Sequence, residues 1–171
     1  MADMKQNRRE AEQKKEAKRE ARRAAREAVF TLLYETEYHP DETAEDILVR
    51  AAEEREIADE EGYVRNVYLG IMEKRDEVDE IIGRHAKGWR TNRLSRVSRA
   101  VLRLGAYELM YAKGTPAPIA INEAVELSKK FDDPKARAFV NGVLNAIKDE
   151  LTEGVKTAEV EETAESTGDE A

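Results

Sequence analysis

Apolar residues in this chain recur every three or four positions, and no stretch shows strand-like alternation. That spacing lays them along one side of a helix, so the pattern predicts an all-α fold. In the first predicted helix, Asn7 to Glu37, the apolar stripe is confined to the C-terminal half. Ala25, Val29, Leu32 and Leu33 fall at i, i+4, i+7 and i+8, whereas Arg8 to Arg26 hold almost nothing apolar beyond alanine. The helix is therefore expected to be anchored at its end and to project a basic arm. His39-Pro40-Asp41 stops it, and Thr43-Ala-Glu-Asp46 opens a short second helix. Val64, Val67, Tyr68, Ile71, Val78, Ile81 and Ile82 keep one period, which predicts a single third helix from about Asp59 to His85. The next, about Arg93 to Ala112, is apolar nearly all round and should be central. Gly114-Thr-Pro116-Ala-Pro118 is a connector, and two helices follow, the last opened by Asp133-Pro134 as N-cap and first residue. Asn141-Gly142 lies inside a helical pattern rather than a hairpin turn.

Composition adds limits. With 171 residues the chain suits one domain with flexible ends, or two small subdomains. Charged residues make up 39% and aromatics 6%, so the core must be largely aliphatic. The absence of cysteine removes disulfides, thiolate metal sites and thiol catalysis, and fits a reducing compartment. No apolar run approaches the roughly 18 residues of a membrane span, and no signal-peptide core follows Met1. A soluble, cytoplasmic protein is the expectation.

The net charge of −8 is unevenly spread. Residues 1–26 hold ten Lys/Arg against five Asp/Glu, a surplus of +5, and residues 152–171 carry −6. Low in large apolar groups, the stretch after Thr152 is expected to be disordered. The layout is thus a basic extension over 1–20, helical or disordered, a helical domain over 21–151, and an acidic tail over 152–171.

Little in the sequence suits catalysis. His39 and His85 stand in no metal-ligand spacing, and no glycine-rich phosphate loop occurs. No enzyme activity, metal or cofactor is expected. Basic patches speak louder. Arg19, Arg22, Arg23 and Arg26 fall at i, i+3, i+4 and i+7 and share a helix face suited to successive phosphates. The alternative is a solvated helix laced by pairs among Glu16, Glu20, Arg19 and Arg23. A second stripe has seven cations between Gly83 and Arg103 and no acid: Arg84, Lys87, Arg90, Arg93, Arg96, Arg99 and Arg103. Its Arg93–Arg103 portion is expected along one side of the central helix. Trp89, set among these charges, either stacks on a base or packs a corner. Phe139 lies roughly 100° from the buried Val140, on the flank of the apolar face. There it can stack on a base or simply pack the edge of the core. Asn122 and Asn141 cost roughly a few tenths of a kcal/mol each in helix interiors, so hydrogen bonds between helices are expected of them.

Several of these segments resemble the NusB family of bacterial transcription antitermination factors. The similar elements are Arg22-Arg-Ala-Ala-Arg-Glu-Ala-Val-Phe-Thr-Leu-Leu-Tyr34, Trp89, Arg93-Leu94 and Val101-Leu-Arg-Leu-Gly-Ala-Tyr-Glu-Leu109. Ala120-Ile-Asn-Glu-Ala-Val-Glu-Leu127, Lys130-Phe131 and Phe139-Val-Asn-Gly-Val-Leu144 complete the resemblance, which spans about residues 20–150.

The resemblance implies two small helical bundles packed at an angle. It implies binding of single-stranded, boxA-type RNA of ribosomal RNA leaders, together with the small-subunit ribosomal protein acting as Nus factor E. It also implies work in the antitermination complex of RNA polymerase. Arg22, Arg23 and Arg26 match the family's arginine-rich start that meets RNA, and Phe139 matches a ring on the RNA-facing surface. Arg19, Arg99 and Arg103 extend that set by charge. Tyr34 and the Ser98–Arg103 stretch lie where the ribosomal protein is expected to dock, which leaves that basic stripe open between RNA and protein. Residues 1–20 and the acidic tail fall outside the family pattern. The competing readings are a helical protein-interaction module or a homodimer that masks its own basic face. An enzyme is a weaker alternative, for the same module precedes the catalytic domain of certain ribosomal RNA cytosine methyltransferases.

Overall fold

The computed structural model describes residues 1–59, 61–90 and 93–166, with side chains described as far as residue 155. Among the described residues there are seven helices and no strand: α1 (Ala2–Thr36), α2 (Ala44–Arg55), α3 (Tyr63–Glu73), α4 (Arg75–His85), α5 (Arg96–Tyr111), α6 (Ala117–Phe131) and α7 (Pro134–Ser166). The backbone falls into two compact units, residues 1–73 and 74–171.

In the first unit the C-terminal half of α1 packs on α2 and α3. Val29, Leu32, Ile47, Ala51, Tyr68 and Ile71 have no exposed surface and form the centre of its core. Val29, Leu32, Tyr68 and Ile71 are among the positions that the apolar period singled out, whereas Ile47 and Ala51 come from α2. Thr43 caps α2 by accepting the Asp46 amide at 3.2 Å. The Tyr68 hydroxyl meets Thr36 Oγ1 at 2.7 Å, so the buried phenol keeps a partner; burial pushes its pKa up. Arg50 reaches both Glu42 and Glu35, and Arg55 joins Glu35 at 2.7 Å, clasping α2 to α1.

The single helix expected over 59–85 is two helices, broken at Lys74. The break is invisible to periodicity because Ile71 and Val78 are seven residues apart, in phase on either side. No glycine or proline marks the spot. Lys74 leaves helical geometry (φ −95, ψ 17), and α4 starts without a side-chain cap.

In the second unit α5 is central, packing on α4, α6 and α7. Residues 100 to 106 of α5 are all buried, as the all-round apolar pattern implied. Gly105 is where the helices come closest. A β-carbon there would meet Leu144 Cδ1 at 2.7 Å and Ala124 at 3.3 Å. The helix begins at Arg96 rather than Arg93, because Ser95 takes the cap position and accepts the Ser98 amide at 3.0 Å. Asp133 opens α7 as expected, accepting the Lys135 amide at 2.9 Å. The backbone of α7 continues beyond Thr152, where the acidic tail was expected to begin, and the final residues of that tail lie outside the described residues.

Glu150 ties α7 to the end of α4. It takes His85 Nε2 at 2.8 Å and Arg84 at 2.8 Å. The His85 hydrogen bond, then the Arg84 guanidinium, hold its carboxyl below the ordinary range. A depressed carboxylate pKa stabilises the fold above the unfolded value of 4.5, and this contribution is lost as pH falls through the folded value. Glu150→Gln is therefore expected to lower the melting temperature at neutral pH. The gap should close progressively in acid below 4.5, as measured by thermal scans across pH. A gap that stayed constant into acid would show that Glu150 acts by packing alone.

Candidate nucleic-acid interface

The candidate residues fall in both units, five on α1 and the rest on α5 and α7. On α1 residues 2–21 are all exposed, since the apolar stripe that holds the helix begins only at Ala25. Arg19 extends into solvent, 4.0 Å from Glu16. Arg23 is exposed one turn further on.

Arg22 and Arg26 are held by groups that periodicity did not single out. The connector after α2 turns at Gly62, whose φ of +70 favours glycine, and Asp59 caps α3 by accepting the amides of Val64 and Arg65 at 2.9 and 3.1 Å. This arrangement presents Glu61 and Tyr63 to α1. Glu61 Oε2 accepts from Arg22 at 2.9 Å, and the Arg22 guanidinium lies 4.3 Å from the Tyr63 ring centroid. Arg26 lies 6.0 Å from the same ring and is only 6% exposed. Arg22 is thus preoriented at a half-exposed position, and Arg26 is a buried buttress rather than an open contact. The only advance sign of this clasp was the Asp59 to Gly62 spacing, a cap-and-turn signature overrun by the expected helix.

Tyr34 is half-buried in an aromatic row that runs along the end of α1 and into the turn after it. Its ring centroid is 6.3 Å from Phe30 and 5.3 Å from Tyr38, and the two tyrosine hydroxyls meet at 3.0 Å. Tyr38 is 51% exposed, so the row ends in an accessible aromatic surface.

The second basic stripe breaks up. Arg93 precedes α5 and Arg96 is exposed, but Arg103 is not available at the surface. Its side chain is 6% exposed and forms a bidentate pair with Asp79 of α4, at 2.9 and 3.2 Å. The expectation that Arg103 contacts RNA is corrected on this point, for its charge is already neutralised inside the unit. Trp89 is buried, with Arg99 and Arg103 at 5.0 and 5.3 Å from its ring, so of its two readings the structure supports corner packing. Arg99 stays partly exposed above that ring.

Ser98, expected at the docking face, is also corrected. It is 4% exposed and donates to Asp132 at 2.6 Å, beside Ser95 at 2.8 Å on the same oxygen. The pair locks the start of α5 to the turn before α7. Asn122 and Asn141 do not bridge helices, because both are exposed. Asn141 instead accepts from Asn145 within α7, through its backbone oxygen at 2.9 Å and its Oδ1 at 3.3 Å. Phe139 is half-buried on the flank of α7, where the wheel put it.

No cluster of acidic residues and histidine capable of holding a metal occurs among the described residues, and no helix there is long and apolar enough to cross a membrane.

Comparison with known proteins places these features in a family. The model of the NusB family matches residues 23–149. The transcription antitermination protein NusB of Bacillus subtilis is 42% identical over 108 residues, which is 62% of this chain and 82% of that protein. Its counterpart in Ruminiclostridium cellulolyticum is 38% identical over 131 residues, 76% of this chain and 90% of the relative. Among solved structures, T. maritima NusB superposes with a TM-score of 0.69 at 38% identity, covering 75% of this chain and 91% of the other. A crystal structure of the antitermination factors NusB and NusE in complex with double-stranded RNA gives a TM-score of 0.69 at 32% identity, over 77% of this chain and 98% of that one. On sequence and fold together, the chain belongs to the NusB family.

Proposed function

We propose that this chain is a non-catalytic, cytoplasmic antitermination factor. It binds single-stranded, boxA-type RNA of ribosomal RNA leaders together with the ribosomal protein that acts as Nus factor E, and promotes read-through by RNA polymerase. The observation that carries the reading is the arginine face of α1, with Arg22 preset between Glu61 and Tyr63, within a chain of this family. In this reading Arg19, Arg22 and Arg23 contact phosphates and Arg26 supports them. Arg99 adds charge, and Phe139 offers a ring for base stacking. Tyr34, with Tyr38 beside it, belongs to the face that meets the ribosomal protein. Arg103 and Ser98 serve the internal structure of the second unit. The functional domain is taken as 21–151.

A gel-shift assay tests the reading. The chain is expected to retard a single-stranded boxA-type RNA, more tightly with the ribosomal protein present, and to lose affinity steeply as salt rises. A paired hairpin of the same sequence is expected to compete weakly. Binding that ignores salt, or that prefers the hairpin, would defeat it.

A further inference from the structure

The matched family region begins at residue 23, yet α1 begins at Ala2 and runs unbroken through that boundary. Residues 2–21 of it are exposed and touch no core, and they hold seven Lys/Arg against five Asp/Glu. On a wheel of about 100° per residue, Lys5, Arg8, Lys15, Lys18, Arg19, Arg22, Arg23 and Arg26 fall within an arc of about 140°. Of the ten cations in residues 1–26, only Arg9 and Lys14 lie outside it. Glu12 is the one acid inside the arc and Glu16 borders it, 4.0 Å from Arg19, while Asp3, Glu10 and Glu20 lie further outside. Lys5, Arg8, Lys15 and Lys18 are exposed and form no ion pair among the described residues. The stripe rises about 32 Å from Lys5 to Arg26.

A helix solvated only for its own stability would not need its cations in phase with arginines four turns away. Resting on the reading of Arg22 and Arg23 as phosphate contacts, we infer that residues 2–21 form a second RNA-binding segment. The α1 extension carries the same cationic face outward onto phosphates that flank the boxA-type element. Its ligand is the phosphodiester backbone of single-stranded RNA, held by charge without base readout. The observation that favours RNA over a protein partner is continuity: one face, on one helix, with eight cations against a single acid, Glu12. Rigid rise along α1 sets the reach, so the gain should appear only with RNA long enough to follow it.

The test uses the full chain and a variant with Lys5, Arg8, Lys15 and Lys18 all changed to Gln, which keeps helix propensity while removing charge. Affinity is measured by fluorescence anisotropy against two RNAs, one limited to the element and one with unstructured flanks on both sides. For the longer RNA the variant is expected to bind about tenfold more weakly. Its slope of log affinity against log salt should be shallower by about 2 to 3, given roughly 0.7 per neutralised phosphate. For the short RNA the two proteins should agree. Equal affinity of both proteins for both RNAs would overturn the inference while leaving the boxA reading intact. So would an equal loss on both RNAs, which would mean diffuse attraction. Loss of ribosomal-protein binding with RNA binding unchanged would assign the stripe to a protein and overturn it too. Failure of the unmodified chain to bind either RNA defeats the parent reading instead.

Discussion

Replacing Arg22 and Arg23 together by alanine is expected to weaken binding of boxA-type RNA by about 100-fold near physiological salt. The estimate follows from two charge-assisted contacts at roughly 1.5 kcal/mol each, where about 1.4 kcal/mol is a factor of ten. Both side chains lie on α1, and neither belongs to the buried core, so helix content and melting temperature should change little. Arg26 is left alone for this reason: at 6% exposure its loss would mix folding with binding. Glu61 supplies an arm of opposite sign. Its carboxylate occupies Arg22 at 2.9 Å and must yield when a phosphate arrives. Glu61→Gln removes that competitor and should tighten RNA binding a few-fold, most visibly at low salt. Anisotropy titrations of the three proteins decide the matter. Unchanged affinity in the double variant would remove the α1 face from the interface altogether.

Asp79→Ala should produce the largest loss of stability. Arg103 is buried on α5, and Asp79 holds its guanidinium through two hydrogen bonds. Truncating one partner of a buried pair leaves the other charge uncompensated, at a cost on the order of 3 kcal/mol. For a chain of this size that corresponds to a fall of roughly 6–12 °C in melting temperature. The stacked Trp89 should lose its ordered surroundings, so near-ultraviolet circular dichroism offers a second readout. The combination Asp79→Leu with Arg103→Met replaces both charges with apolar groups and is expected to regain most of the stability. A melting temperature for Asp79→Ala within a degree or so of the parent would show that Arg103 finds solvent without help.

Some of the candidate site was legible from residue order. Arg19, Arg22 and Arg23 occupy one helix face because the period of a helix is known in advance. Phe139 lies on the flank of α7 for the same reason. The caps Thr43 and Asp133 were legible as well, since a side chain that bonds an amide two or three residues on needs no distant information. Arg103 and Ser98 were misjudged because both looked like surface residues on a basic stripe. Their acidic partners, Asp79 and Asp132, lie 24 and 34 residues away, and nothing local to α5 announces them. The break at Lys74 escaped notice because two short helices in register carry the same apolar phase as one long helix.

Residue order alone determined the helical class, the core positions and the basic face of α1, because each depends on periodicity within one segment. Tertiary structure alone decided which cations remain available. Arg22 is half-committed to Glu61, Arg26 is enclosed, Arg103 is neutralised by Asp79, and the first turns of α1 stand clear of any core. The physical reason is that burial of apolar groups follows a helix's own repeat, whereas the fate of a charge depends on what the fold packs beside it.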